Sequence, residues 1–504
     1  MSKVRVRFAP SPTGGLHLGG VRTALFNYLF AKKHQGDFIL RIEDTDQSRY
    51  VAGAEQYIID CLQWCGLNPS EGPVQGGDFV PYRQSERKAI YRRYAEQLVK
   101  DGYAYYAFDT AADLEAQREQ IPNFRYGHEN RQTLRNSLSL SVDEVEQLLK
   151  QGSPHVIRIK MPSDETVTFH DLIRGKVSFE TNLVDDKVLL KADGMPTYHL
   201  AVVVDDYLMK ISHVFRGEEW LPSSPVHILL WDYLGWKEQM PEWVHLPLIL
   251  KPDGHGKLSK RDGDRLGFPV YAMNWKDPKT GDLTKGFREM GFLPEAFVNM
   301  LALLGWHGHG DQELYSLAKL VDQFSIDRIS KAGAKFDFEK AKWFNHQYIR
   351  QASLSELKPQ IVTCLKEKGI IVPKDHYLEQ VITLVQDRLI FLQDFWDQSF
   401  FFFEQPKVYD FAAVKTNWTN HKFDFFEKYI AYLEKSTSAN AQELETAFKS
   451  IAAEQGLKIG ELMLPLRIML VGGKFGPGVF DIAHTLGAVE MISRIKRAIS
   501  ELTK

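Results

Sequence analysis

The stretch APSPTGGLHLGG, residues 9–20, constrains this chain more than any other. Ahead of it, Val4, Val6 and Phe8 alternate with Lys3, Arg5 and Arg7, which predicts a strand with one apolar face. Pro10, Pro12, Gly14 and Gly15 can continue neither strand nor helix, so a tight loop must follow. Val21, Ala24, Leu25, Tyr28 and Leu29 then recur at helical spacing. Strand, Gly/Pro loop and helix in that order aim a helix N-terminus at whatever the loop holds. Its free N–H groups and dipole favour an anion, most commonly phosphate. His17 stands at that end, where an imidazole can donate to phosphate without fixing a permanent charge. Taken alone, a single H-x-G more often marks a structural turn with a satisfied imidazole.

A second stretch shifts that balance. In LPLILKPDGHGKLSKRDGDRLG, Lys257, Lys260 and Arg261 lie in a loop bordered by Gly254, Gly256, Gly263 and Gly267. Two lysines three apart in a glycine-rich loop can close on a triphosphate and neutralise charge developing on departing oxygens. KLSKR by itself would more often be a solvated basic loop; the two stretches, in this order, carry the inference.

At 504 residues the chain has room for two to four domains. From Val4 to about Leu250, short apolar or alternating runs (KVRVRF, DFILRI, HVIRIKM, KVSFE, YHLAVVVDD, HVFRG) alternate with helical patterns, which predicts an α/β domain carrying a β-containing insertion. From about Phe287 onward helix-period segments dominate, predicting a mostly helical C-terminal half. NWKDPKTGDLTKG reads as an exposed excursion between the halves, and the aromatics of DRLIFLQDFWDQSFFFF read as core. A net charge of -3 means that any nucleic-acid contact must come from local clusters. With no run of 18 apolar residues and no leader pattern ahead of Val4, the chain reads as soluble and cytoplasmic. Cys61, Cys65 and Cys364 form no C-x-x-C pair, which fits a reducing compartment and argues against a structural zinc site. Cys61 and Cys65, one helical turn apart, read as packing residues.

APSPTGGLHLGG resembles the HIGH-type signature of class I aminoacyl-tRNA synthetases, with Gly20 where many members have a second histidine, and KLSKR resembles their KMSKS-type loop. LRIEDTDQSRYV, FHDLIRGKVSF, DGMPTYHLAVVVDDYLM, VFRGEEWLPSSPVHILLWDYLGW, KAKWFNHQYI and LMLPLRIMLVGGKFGPGVFDIAHTLG resemble, in order, the bacterial-type glutamyl-tRNA synthetases, and the likeness spans nearly the whole chain. It implies an α/β fold: a Rossmann-type class I catalytic domain with an inserted α+β acceptor-binding domain, then an all-α anticodon-binding region. The corresponding divisions are 1–95 and 196–250 for the two Rossmann halves and 96–195 for the acceptor-end-binding insertion. Residues 251–332 would form the KMSKS loop and stem-contact domain, and 333–395 and 396–504 two helical anticodon-binding subdomains.

The resemblance implies two steps, in which glutamate attacks the α-phosphate of ATP and the glutamyl group then passes to the terminal adenosine of tRNA(Glu). Thr13, His17 and the Gly19–Gly20 backbone would hold the ATP phosphates and ribose, while Lys257 and Lys260 stabilise the pentavalent centre and the leaving pyrophosphate. His17, Lys257 and Lys260 are the catalytic candidates, and Leu258, Ser259 and Arg261 complete the ATP-binding loop. Mg2+ would ride on the nucleotide. Arg7 and Arg216 would face the γ-carboxylate of glutamate, Ser11 and Tyr198 add hydrogen bonds, and Glu43 meets the ammonium. Glu43 and Asp44 could instead cap the following helix, and Trp220 more simply shapes the pocket. For tRNA the candidates are Arg49, Arg83, Arg87 and Arg467, the last matching a family residue implicated in anticodon reading. The helix bearing Arg83, Arg87, Lys88, Arg92 and Arg93 is either a phosphate-tracking face or an ordinary solvated surface. The partners implied are tRNA(Glu), L-glutamate and ATP, with no membrane and a monomeric chain.

Two departures from the family stand out. Many members carry a C-x-C pair with further cysteine or histidine ligands in the insertion, whereas this chain has Tyr106 and Phe108, so zinc is not expected. Where the family often has asparagine four residues after the pocket tyrosine, this chain has Val202, implying one substrate hydrogen bond lost or replaced. A glutaminyl-tRNA synthetase would instead carry a β-barrel C-terminal half. A non-tRNA adenylyltransferase would not need the helical appendage, and a catalytically dead paralogue would be expected to lack His17 or Lys260.

Overall fold

The computed structural model describes residues 3–372, 374–436 and 439–502. The chain divides into two compact units, one of Met1–Glu289 with Phe297–Phe338 and one of Met290–Ala296 with Glu339–Lys504.

The first unit opens with β1 (Arg5–Phe8), α1 (Leu18–Lys33) and β2 (Asp37–Leu40), the two strands parallel with Arg5 opposite Asp37 and Phe8 opposite Leu40. α2 (Ala54–Trp64) and α3 (Lys88–Lys100) follow, then β3 (Ala104–Ala107), α4 (Ala111–Gln120), α5 (Val142–Lys150), β4 (Val156–Ile159), β5 (Thr166–Asp171), β6 (Gly175–Glu180) and β7 (Val188–Leu190). α6 (Tyr198–Leu208), β8 (His213–Gly217), α7 (Ser224–Tyr233), β9 (Glu242–Leu246) and α8 (Lys260–Leu266) bring the chain back to the first strands. β8, β9 and β5 are mutually parallel neighbours, β6 is antiparallel on the edge, and β1 lies beside β8. The strands β3, β4 and β7 form a separate antiparallel sheet. Parallel strands joined through helices are covered on both faces, and the strand ends then meet in one crevice.

That coverage corrects the expectation of a single apolar face on β1. All four of its residues are buried, Arg5 and Arg7 included. The arginines tolerate this because each is matched by acid: Arg5 by Asp37 and Glu71, Arg7 by Asp206. A second correction concerns YHLAVVVDD, which is not a strand but the body of α6. Its valines have strand propensity, yet the whole span Leu200–Asp206 is buried between neighbouring elements, and packing overrides the weaker local preference. The excursion NWKDPKTGDLTKG is a short antiparallel ribbon, Trp275–Lys276 against Leu283–Thr284, and Trp275 is buried instead of exposed.

The second unit is helical among its described residues. Its helices include Asp375–Val385, Asn420–Leu433, Gly460–Val471 and Ala488–Leu502, around one apolar cluster to which Leu392, Phe395, Phe401 and Phe402 contribute. Cys61 and Cys65 are buried, and all three cysteines are free. Among the described residues no helix is long and apolar enough to cross a membrane.

Candidate active site

The loop after β1 is held from behind. Leu18 N–H donates to Val270 O at 2.9 Å, and a Cβ on Gly15 would come within 2.9 Å of the Tyr271 ring and 3.0 Å of Trp275, so only glycine fits there. At Gly20 a Cβ would stand 2.7 Å from a terminal methyl of Leu16, a side chain that can turn aside. His17 is the N-cap of α1, its Nδ1 accepting from Gly19 N–H at 3.3 Å. Its proton must then sit on Nε2, and Nε2 is buried without a hydrogen-bond partner. Burial, assisted by the nearby Lys257 charge, lowers the His17 pKa from 6.5 to about 4, so the ring is a neutral donor at neutral pH.

The opposite wall comes from the turn ahead of α8. Leu258 is buried and anchors the turn through its N–H to Ile249 O at 2.9 Å, while Ser259 caps α8 with Asp262. Lys257, Leu258, Ser259 and Lys260 all line a cavity of about 1100 Å³ together with His17, Thr13, Gly19 and Gly20. Lys257 Nζ rests on Glu219 Oε1 at 2.6 Å, an exposed pair that an incoming polyanion can replace. Arg261 is exposed and lies outside the lining.

The deeper end is built on the C-terminal ends of β1 and β8 and on α6. Arg7, Ser11, Glu43, Tyr198 and Arg216, all expected to meet glutamate, line the same cavity. The two arginines differ in surroundings. Arg7 is spoken for by Asp206, through Nε to Oδ1 at 3.0 Å and Nη2 to Oδ2 at 3.2 Å. Asp206 also takes Arg41 Nη1 at 2.8 Å, and although burial opposes it, the two cations hold its carboxyl below the usual range. Glu43 in turn accepts from Arg41 Nη2 at 3.1 Å. Arg216 meets only neutral acceptors among the described residues: His245 Nε2 at 2.9 Å, His227 Nδ1 at 2.9 Å, Ser224 Oγ at 2.8 Å and Tyr198 OH at 3.2 Å. Burial lowers its pKa, but a guanidinium does not deprotonate in a protein, so a full charge stands in the cavity wall with no acid against it. Trp220 covers Tyr198, the ring centroids 4.5 Å apart.

Not every expectation lands on the cavity. Val202 is buried in the apolar cluster around α6 and is absent from the lining, so the valine itself offers no contact there. Arg87 is buried, donating to Asp205 at 2.8 Å and to the carbonyls of Phe79 and Pro81. It is a structural cation, which corrects its reading as a phosphate contact. Arg83 is paired with Glu55 at 2.8 Å, and Arg49, which lines the cavity, with Asp46 at 2.6 Å. Arg467 uses Nη1 to close the 475–477 loop, reaching Pro477 O at 2.7 Å, and its other nitrogens make no hydrogen bond among the described residues. At Tyr106 and Phe108 the rings enclose His155, with centroids 5.3 and 5.7 Å away, and the described residues contain no cluster of three metal-ligating side chains. Sequence reasoning missed Asp206, Glu219, His227 and His245, which stand 199, 38, 11 and 29 residues from Arg7, Lys257, Arg216 and Arg216 respectively.

Comparisons with known proteins agree with this geometry. Residues 3–343 match the family described as tRNA synthetases class I (E and Q), catalytic domain, and residues 342–499 match the anticodon binding domain. The chain is similar to a glutamate–tRNA ligase of Amoebophilus asiaticus, 52% identical over 501 residues and 98% of each chain. Against that of Flavobacterium johnsoniae it is 52% identical over 507 residues and 100% of each chain. A crystal structure of a glutamate tRNA ligase from Elizabethkingia meningosepticum in complex with its amino acid superposes with a TM-score of 0.95 at 48% identity, covering 99% of this chain and 100% of that one. The chain belongs to the glutamate–tRNA ligases, class I aminoacyl-tRNA synthetases that join glutamate to tRNA in two steps at the expense of ATP.

Proposed function

We propose that the cavity binds ATP at its mouth and glutamate at its depth, and that the named residues divide the work accordingly. The observation that supports this reading most is the pair of unmet demands for an anion in one cavity, the partnerless Nε2–H of His17 and the charge of Arg216 without an acid beside it. His17 donates to the triphosphate, with Thr13 and the Gly19–Gly20 backbone around it. ATP brings its own Mg2+ on the phosphates. Lys257 leaves Glu219 for the nucleotide, and Lys260 joins it on the oxygens where charge grows.

Arg216 and Tyr198 hold the substrate's γ-carboxylate with Ser11 beside them, Arg7 lines that end of the site while staying paired with Asp206, and Glu43 receives the ammonium. So placed, an α-carboxylate oxygen forms a bond to the α-phosphorus as the bond to pyrophosphate breaks, giving the mixed anhydride. A ribose hydroxyl of the terminal adenosine of tRNA(Glu) then attacks the activated carbonyl, and AMP departs. Every group in this account comes from one chain, so a monomer suffices. The free cysteines fit a cytoplasmic setting, and Tyr106 and Phe108, packed against His155, offer no thiolate to a zinc ion. Arg49, Arg83 and Arg467 remain the tRNA candidates, and the six-part division into catalytic halves, insertion, stem-contact and anticodon subdomains is the frame for their contacts.

Lys260→Ala tests the division of work. Adenylate formation, read as tRNA-supported pyrophosphate exchange, should fall about a hundredfold or more, the usual loss for one preformed donor to a developing oxyanion, with the melting temperature unchanged. Near-normal exchange would remove Lys260 from the reaction.

A further inference from the structure

Behind Arg216 runs a chain of groups that the reaction does not touch. Asp171, the last residue of β5, is fully buried. Its Oδ1 accepts from the backbone N–H groups of Ile173 at 2.9 Å and Arg174 at 2.8 Å, in the turn to β6. Its Oδ2 accepts from His245 twice, from the backbone N–H at 3.0 Å and from ring Nδ1 at 2.6 Å. Burial works against the charge, yet these donors keep the Asp171 carboxyl below the usual range, so it is ionised and can only accept. The ring proton of His245 must therefore sit on Nδ1, leaving the Nε2 lone pair to receive the Nε–H of Arg216 at 2.9 Å. The other tautomer would set N–H against N–H. The same logic holds on the far side: His227 Nδ1 accepts from Arg216, so its Nε2–H points at His199 Nδ1, 3.2 Å away.

Arg7 shows the alternative design. There a carboxylate grips the guanidinium directly, fixing its plane and cancelling its charge at once. At Arg216 the carboxylate is set one imidazole back, and the Trp243 ring lies 4.8 Å from the guanidinium carbon, so the plane is fixed while the charge stays open toward the cavity.

We propose that Asp171, acting through His245, is a positioning residue for amino-acid specificity. It locks His245 as a neutral acceptor, and this holds Arg216 in place with its charge free for a side-chain carboxylate, so that glutamate is preferred over glutamine. The proposal rests on the reading of Arg216 given above.

The test compares four variants by kcat and KM for glutamate, glutamine and ATP. In Asp171→Asn one amide oxygen replaces an acceptor that served donors on both sides, and an N–H turned toward His245 favours the wrong tautomer. KM for glutamate should rise about tenfold to a hundredfold, by analogy with the loss of carboxylates that orient metal-bound histidines, while KM for ATP stays within about twofold and the preference over glutamine narrows. His245→Gln can offer an amide oxygen near the place of Nε2 and should recover most glutamate affinity, whereas His245→Leu should not. Equal losses in the Gln and Leu variants, or equal KM changes for both amino acids in Asp171→Asn, overturn the proposal. Should Asp171→Asn fail to fold, the His245 pair decides alone. Arg216→Ala separates the two layers: an unaltered preference in that variant overturns the reading of the site. A collapsed preference there, with normal preference in the Asp171 and His245 variants, overturns the relay only.

Discussion

Arg7→Ala and Arg216→Ala should have unlike consequences, although both arginines line the cavity and both were expected to hold the substrate carboxylate. Four of the N–H groups of Arg216 are occupied by neutral acceptors, which leaves one on Nη2 and the whole charge for a ligand. Truncating it strands a buried substrate carboxylate, a loss of about 2–5 kcal/mol. That corresponds to about thirty-fold to several thousand-fold in glutamate affinity. Glutamine, with a neutral amide, should lose much less, so the preference narrows. In Arg7→Ala the group stranded belongs to the protein, namely Asp206, and breaking such a pair costs about 3–5 kcal/mol of stability, reduced here because Arg41 remains on the same carboxylate at 2.8 Å. Arg7→Ala should therefore lower the melting temperature while keeping most of the preference. The assay is kcat/KM for both amino acids in each variant alongside thermal unfolding. Equal losses on both amino acids in Arg216→Ala, or a collapsed preference at unchanged stability in Arg7→Ala, would refute this assignment of charge.

Glu219→Gln should lower KM for ATP by at most about fivefold, since an exposed pair with Lys257 is worth up to about 1 kcal/mol and the nucleotide no longer displaces it; a raised KM would contradict the displacement. Stability should fall as pH drops from about 6.5 to 4. Burial pulls His17, His199, His213 and His245 from 6.5 to about 4, so in that window the unfolded chain takes up protons that the folded chain refuses. Each such histidine contributes about 1.4 kcal/mol per pH unit. Urea midpoints measured across that range should decline, and a flat or rising midpoint would show that these rings are protonated in the fold.

The parts of this site that were legible in the sequence are those whose chemistry is local. APSPTGGLHLGG announces its turn through its own prolines and glycines, and the apolar spacing from Val21 announces the helix that His17 caps. KLSKR is similarly self-contained. What could not be read are pairings across the chain: Arg7 and Asp206 are 199 residues apart, Arg87 and Asp205 are 118 apart, and Asp171 and His245 are 74 apart. Arg87 shows the result. Beside Arg83 and Lys88 it reads as one of a basic row, and only the fold brings Asp205 beneath it. The alternation of Arg5 and Arg7 with valine likewise suggested a solvated face, because no local pattern tells that acids from β2, from the loop after α2 and from α6 wait on that side. The misreading of YHLAVVVDD has the same origin, since burial of the helix on several sides erases the polar stripe by which an amphipathic helix is recognised.

The most direct test of the account is aminoacylation by the purified chain with labelled glutamate and labelled glutamine, each offered separately purified tRNA(Glu) and tRNA(Gln). Label from glutamate should attach to tRNA(Glu) only with ATP present and be released as free glutamate by mild alkaline hydrolysis of the ester, and label from glutamine should attach to neither tRNA. Attachment of glutamine, or none of glutamate in the presence of ATP and Mg2+, would contradict it.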